Sequence, residues 1–298
     1  MDAGNEMLKK FKKNNGKMIS YMVKEFEMKK AADIHRRAYS SKRGTLDMNK
    51  IHAYKYSDNI FRQITNLPEG KNHGMVMFID WSGSMHGYMK DTIEQLINLT
   101  MFCQKVQIPF EVYAFTSRQI NGAYINENGN SELKELEWMT PADNASGCRQ
   151  LRAHSYSLIN FLSSRMNIRQ YKKAVRELYV CSNQRYGTIP SAFSTGCTPL
   201  NEAIMCALQQ VPAFQEQTGV QIVNTVFLTD GEGHSMGASS YRYNNEKTYI
   251  HDPSTRKDYV LNNDHRDETN VYLEILRNRT QCNIIGIRLH CAKNIANL

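Results

Sequence analysis

No run of about 18 consecutive apolar residues occurs in this chain, so no transmembrane helix is expected. The first thirty residues also lack the apolar segment of a secretory signal. They carry instead Lys9, Lys10, Lys12, Lys13, Lys17, Lys29 and Lys30, which argues against export. Cysteines are few, 7 in 298 residues, and odd in number, at positions 103, 148, 181, 197, 206, 282 and 291. No two have C-x₂-C spacing, so neither a disulfide framework nor a structural zinc site fits. Scattered cysteines of this kind read as small buried hydrophobes in a reducing compartment, and a cytoplasmic location is the expectation. There is no G-x-x-x-x-G-K-[ST] segment, so the chain is not itself expected to be an ATPase. His86, His234, His251, His265 and His290 form no H-E-x-x-H or comparable pattern, which leaves a zinc hydrolase without support.

What the chain does have is a globular composition, with 41% hydrophobic and 22% charged residues. Its length suits one large domain with an appendage, or two domains. The formal net charge of +8 is unevenly spread. Residues 1–73 hold 16 Lys+Arg against 8 Asp+Glu, while residues 74–298 hold 21 of each. All the excess therefore lies in the front quarter. Such a segment can meet nucleic acid or another acidic surface, or can simply be a solvated helix face.

Apolar residues at roughly three-and-four spacing (Met7, Leu8, Phe11, Met18, Ile19, Met22, Val23, Phe26, Met28) predict a helix over residues 1–40. Pro68-Glu69-Gly70 is a turn signal and marks the expected boundary between a basic, mainly helical segment 1–73 and a domain over 74–298. Beyond it the pattern changes. Met75 to Ile79 is a continuous apolar run, as in a strand buried on both faces. Strands are also expected at 110–115, 158–162, 222–228 and 282–289, and helices at 88–106, 167–181, from Pro199 onward, and at 267–280. Polar insertions are expected near 117–150 and 239–263, the second containing a β-hairpin around Pro253-Ser254. Alternating strands and helices predict an α/β fold: a doubly wound, mostly parallel sheet flanked by helices.

In such sheets functional residues lie just beyond the carboxyl ends of the strands. One strand ends Asp80-Trp81-Ser82-Gly83-Ser84-Met85, and another ends Thr229-Asp230-Gly231-Glu232. A third loop, Gly196-Cys197-Thr198-Pro199-Leu200, opens a helix. Two carboxylates and several hydroxyls suit a hard divalent cation, which takes oxygen ligands. The two aspartates balance the +2 charge, and neutral hydroxyls fill further positions without over-neutralising the ion.

Asp-x-Ser-x-Ser after an apolar strand, a distant Gly-x-Thr-Pro-Leu, and Thr-Asp-Gly after another strand together resemble the von Willebrand factor A (VWA) domain and its metal-ion-dependent adhesion site (MIDAS) over residues 74–298. The resemblance implies hydroxyl ligands from Ser82, Ser84 and Thr198, and Asp80 and Asp230 binding Mg²⁺ (or Mn²⁺ or Ca²⁺) directly or through water. The Asp-Trp-Ser-Gly-Ser-Met start and the Thr-Pro-Leu-Asn-Glu-Ala run at 198–203 look most like the intracellular branch. That branch includes the CobT-type subunit of cobalt chelatase and its phage-encoded relatives, to which Ser163-Ser164-Arg165-Met166 is also similar. It implies a non-enzymatic binding subunit. The metal would grip an Asp or Glu of a partner, an AAA+ ATPase of the MoxR or CobS type, in the cytoplasm (the host's, if the chain is phage-encoded). The alternative is a CobT-like subunit of a cobalt or magnesium tetrapyrrole chelatase. Where family members often carry a second glycine before Thr-Pro-Leu, Cys197 stands here, and the acidic tract of cellular chelatase subunits is absent.

Gly233-His234-Ser235-Met236-Gly237 matches the G-x-S-x-G nucleophile elbow. Asp230-Gly231-Glu232 already occupies the strand end where an elbow serine must sit, so a serine hydrolase is not expected. Trp81 reads as a packing or interface aromatic, and Arg165 and Arg185 as ordinary surface charges.

Overall fold

A computed structural model of the chain describes residues 2–37, 39–41, 64–66, 72–117, 124–125, 131–132, 156–183, 195–234, 236, 248–261 and 265–289. The turn at Pro68-Glu69-Gly70, Arg185, Ser235, Cys148, Cys291, most of the insertion at 117–150 and residues 239–247 and 262–263 of the second lie outside the described residues. The chain divides into two compact units, one of Phe11–Asn72 and one of Met1–Lys10 with His73–Leu298.

The smaller unit holds most of helix α1 (Asp2–Arg37) and an antiparallel pair, β1 (Tyr39–Ser41) with β2 (Ile64–Asn66). On α1, Phe11 and Ile19 are buried while Tyr21 and Met28 are exposed.

The larger unit is a mixed α/β structure. Its strands are β3 (His73–Asp80), β4 (Phe110–Thr116), β7 (Ser157–Ser163), β8 (Ile222–Thr229) and β11 (Asn283–Arg288), in the order β11-β8-β3-β4-β7. The first four in that order are mutually parallel, and β7 runs antiparallel to β4 with a register shift at Val112/Tyr113. The small pair β5 (Tyr124–Ile125) and β6 (Ser131–Glu132) belongs to the first insertion. Helices α2 (Met89–Lys105), α3 (Ile168–Ser182), α4 (Leu200–Thr218) and α5 (His265–Thr280) flank the sheet.

Strand alternation sends neighbouring residues to opposite faces. Phe110 packs edge-on against Tyr171 of α3, with ring centroids 6.4 Å apart. Tyr113, three residues on, donates its hydroxyl to Gln210 of α4 at 3.2 Å on the other face. On that second face Val76, Phe78, Phe115, Val223 and Phe227 join Ile204, Val211, Phe214, Tyr272 and Leu276 in one buried cluster. The rings of Phe78 and Phe227 stack there at 5.0 Å. A strand buried on both faces has no place for alternating polar residues, which is why β3 reads as a continuous apolar run.

Helix ends are set locally. Asn167 and Gln170 form a reciprocal capping box at the start of α3, with bonds of 2.9 and 3.1 Å. Gly219, at φ 67°, ends α4 in the left-handed conformation that glycine adopts without strain.

The expected hairpin is present as β9 (Thr248–Asp252) paired with β10 (Lys257–Leu261). Ile250, Tyr259 and Leu261 enter the core cluster. At its turn Asp252 is fully buried and pairs with Arg279 of α5, whose Nε lies 3.1 Å from Oδ2.

Arg165 is exposed, as expected of a surface charge, but it is not an isolated one. Its Nε sits 2.9 Å from Oε1 of Glu111, a carboxylate only 2% exposed that also accepts from Ser163 and Asn160. An unpaired charge at that depth would be costly, so the arginine is part of the fold. Among the described cysteines, Cys103, Cys181 and Cys282 are buried, Cys206 is half-buried and Cys197 is exposed. Burial pushes the Cys103 thiol up to about 12. No helix of the described residues is long and apolar enough to cross a membrane.

Candidate metal centre

Three loops meet at the carboxyl ends of β3 and β8. The first leaves β3 at Asp80. Trp81 donates its N–H to the carbonyl of Phe115 at 2.9 Å, and its ring is buried edge-on against Phe161 at 4.9 Å. This settles Trp81 as a packing residue. Ser82 forms an isolated parallel bridge with Gly196, and Gly83 donates to the Gly196 carbonyl at 2.9 Å. The second loop, 195–199, is thus stitched to the first as a short continuation of the sheet. Ser117 at the end of β4 holds the same loop from its other side: its Oγ accepts from the Cys197 N–H at 2.6 Å. Pro199 then stands at the N-cap of α4.

The third loop follows β8. Ile79 faces Leu228 in the parallel register, so the next residues, Asp80 and Thr229, end their strands side by side. Thr229 Oγ1 donates to Asp80 Oδ2 at 2.7 Å, and also accepts from the Gly231 N–H at 3.1 Å.

Four of the five residues expected at the site are tied into this assembly by hydrogen bonds. Ser82 Oγ and Ser84 Oγ lie 2.9 Å apart, and Ser84 Oγ donates to Asp230 Oδ1 at 2.9 Å. Asp80 joins through Thr229. The fifth, Thr198, stands over Gly231: a Cβ built on that glycine would lie 3.5 Å from Thr198 Oγ1. The environment is graded, with Asp80, Ser82 and Thr198 buried, Asp230 half-buried and Ser84 exposed.

Asp80 is the electrostatically unusual member. Burial pushes its carboxyl up to about 6, against the pull of hydrogen bonding from Thr229 and Ser82, and the charge of Asp230 adds to the rise. Its Oδ1 is buried without a hydrogen-bond partner. A buried carboxylate oxygen without a partner carries a large desolvation cost. A divalent cation relieves that cost directly, and the surrounding oxygens are of the hard type such ions take. The residues present therefore fit the group that the sequence implies. Among the described residues no group of three or more His, Cys, Asp and Glu side chains is gathered to hold a metal ion. This site differs in kind, with two carboxylates and three hydroxyls.

Thr229 has no role legible in the sequence. Its position after an apolar strand and beside Asp230 was the available signal, whereas its contact with Asp80 depends on strand order. Two further residues brace the third loop and were missed. Asn201 of α4 donates from Nδ2 to the His234 carbonyl at 2.8 Å and accepts from Thr269 at 2.7 Å. Glu268 of α5, fully buried, accepts the Met236 N–H at 2.7 Å and the Tyr272 hydroxyl at 2.9 Å. Gly233 passes so close to Asn201 that a Cβ there would lie 2.9 Å from Oδ1, so a larger residue would force a shift.

No family model matches the chain, and no curated protein matches it. Among solved structures, the larger part of the chain is similar to the pilus adhesin SpaC from Lactobacillus rhamnosus GG in its open conformation. The identity is 14%, the TM-score 0.40, and the match covers 74% of this chain. The match spans 24% of the adhesin's own length.

Proposed function

We propose that residues 74–298 form a VWA-type binding domain whose MIDAS-like centre holds Mg²⁺ and uses it to engage a carboxylate of a partner protein. The observation that carries this reading is the convergence of the three loops on Asp80, whose buried Oδ1 has no partner in the protein. Asp80, Ser82, Ser84, Thr198 and Asp230 are the residues that would hold the ion. A bound Mg²⁺ supplies positive charge and attracts a further anionic oxygen.

The chain's own residues do the rest. Thr229 fixes the orientation of Asp80 through Oδ2 and leaves Oδ1 free to ligate. Ser84 aligns Asp230 across 146 residues of sequence. The exposure of Ser84 and half-exposure of Asp230 leave the centre open toward solvent on the side where a partner would approach. Two carboxylates balance a divalent ion without leaving excess negative charge, so an incoming Asp or Glu is not repelled. The resemblance of residues 80–85 and 198–203 to the intracellular VWA branch supports an AAA+ ATPase of the MoxR or CobS type as that partner.

The test is calorimetric titration of the full chain with Mg²⁺ and Mn²⁺. The wild type binds, and Asp80→Ala does not, although its circular dichroism is unchanged. Thr198→Ala binds more weakly by about 1–3 kcal/mol, the range for losing a bond to a charged group. Equal binding by wild type and Asp80→Ala overturns the assignment.

A further inference from the structure

Helix α1 carries much of the chain's excess charge, and it divides lengthwise into two faces. Phe11 and Ile19 are buried and Asn15, Val23 and Phe26 half-buried, all on one side at spacings of four, four, four and three. On the opposite side runs Lys13, Lys17, Tyr21, Lys24 and Met28, at spacings of four, four, three and four, and all five are exposed. Tyr21 is 65% exposed, an unusual state for a ring of that size. The two acids of this stretch, Glu25 and Glu27, lie off the stripe. None of the three lysines is ion-paired among the described residues. At 1.5 Å per residue Lys13 and Lys24 stand about 16 Å apart along the axis, with the tyrosine between Lys17 and Lys24.

We propose that this face of α1 binds single-stranded nucleic acid, with the three lysines on successive phosphates and the Tyr21 ring stacked on an unpaired base. Cationic side chains tracking a backbone, interrupted by an aromatic platform, are what such ligands require. A duplex offers the phosphates but keeps its bases stacked out of Tyr21's reach. A helix lying in a membrane surface needs a free apolar face with Trp, Phe or Leu. Here the face with Phe11 and Ile19 is buried, and among the described residues the exposed large apolar side chains of α1 are Met18, Tyr21, Met22 and Met28. The proposal is independent of the metal centre.

The experiment uses the full chain and fluorescein-labelled oligothymidylate and oligouridylate of about 15 nucleotides, within the known range of single-strand site sizes. Anisotropy is followed across a salt series, with duplex DNA and phosphatidylserine vesicles as parallel arms and EDTA throughout in a repeat. The wild type binds the single strands with a log–log salt slope of about −2, from three phosphate contacts at about 0.7 each. Lys13→Gln, Lys17→Gln and Lys24→Gln combined flatten that slope and lower affinity at least about tenfold. Tyr21→Ala weakens binding about tenfold at unchanged slope, and Tyr21→Phe restores it. All variants keep the wild-type melting curve, because the changed side chains are exposed, and EDTA changes nothing. The proposal falls if the wild type binds neither oligonucleotide, if the triple variant keeps the salt slope, if Tyr21→Ala binds as wild type, or if duplex or vesicles bind more tightly.

Discussion

Thr229 Oγ1 donates to Asp80 Oδ2 at 2.7 Å across two neighbouring parallel strands, and Asp80 Oδ1 beside it is buried with no partner. One oxygen of the carboxylate is thereby satisfied by the protein and the other is kept in reserve. The same contact explains why a buried carboxyl can ionise near neutrality. Burial disfavours its charge, and the threonine hydroxyl returns part of that cost.

The pH dependence of stability follows from this carboxyl. Its folded value of about 6 lies above the ordinary aspartate value of the unfolded chain, so the folded state holds the proton more tightly. The contribution is fully present below about pH 4 and is lost as pH rises through about 6. In EDTA, the unfolding free energy is expected to fall by about 2–3 kcal/mol over that window, while Asp80→Asn shows no such fall from this group. Added Mg²⁺ should restore stability on the alkaline side, where the carboxylate is ionised. Urea melts across pH, with and without Mg²⁺, read all three.

Asp252 behaves in the opposite sense. The hydrogen bond from Arg279 holds its carboxyl well below the usual range, so the pair stabilises above about pH 4 and is lost as pH falls below it. Arg279→Met leaves a fully buried carboxylate without its cation and should cost about 3–5 kcal/mol at neutral pH. Adding Asp252→Asn to that variant should recover most of the loss. A double-mutant cycle by chemical denaturation measures the coupling.

Glu268 should leave a local signature. Its Oε1 holds the Met236 N–H, six residues after Asp230. Glu268→Ala is expected to expose that amide to hydrogen exchange and to lower Mg²⁺ affinity, because the loop carrying Asp230 loses its anchor on α5. Thr280→Ala, at the far end of the same helix, should alter neither. Exchange measured by NMR, beside calorimetry, separates loop anchoring from general destabilisation.

Much of the architecture was legible because period and length are local properties. The continuous apolar run of β3 and the proline before Leu200 predicted elements that the structure places within a residue or two. The hairpin around Pro253 followed from turn chemistry in the same way. The reversed direction of β7 did not follow, because an apolar segment such as Leu158–Leu162 reads alike in either orientation. Arg165 is exposed as expected, but its ion pair was hidden for a related reason. Its partner Glu111 lies 54 residues away, and nothing near either residue announces the pairing.

By itself the sequence determined which side chains the candidate centre can use: two aspartates and three hydroxyls, each at the end of an element whose periodicity is plain. It also determined that the excess positive charge falls on the front quarter, residues 1–73. Only the tertiary structure decided how those groups meet. The order β8-β3-β4 sets Thr229 against Asp80, the bridge from Ser82 to Gly196 draws in Thr198, and the depth of that junction buries Asp80. The reason is physical. Hydrophobic patterning is set by each residue's neighbours along the chain, whereas burial and hydrogen bonding at a strand end depend on which strands lie alongside, and residues far apart in sequence supply them.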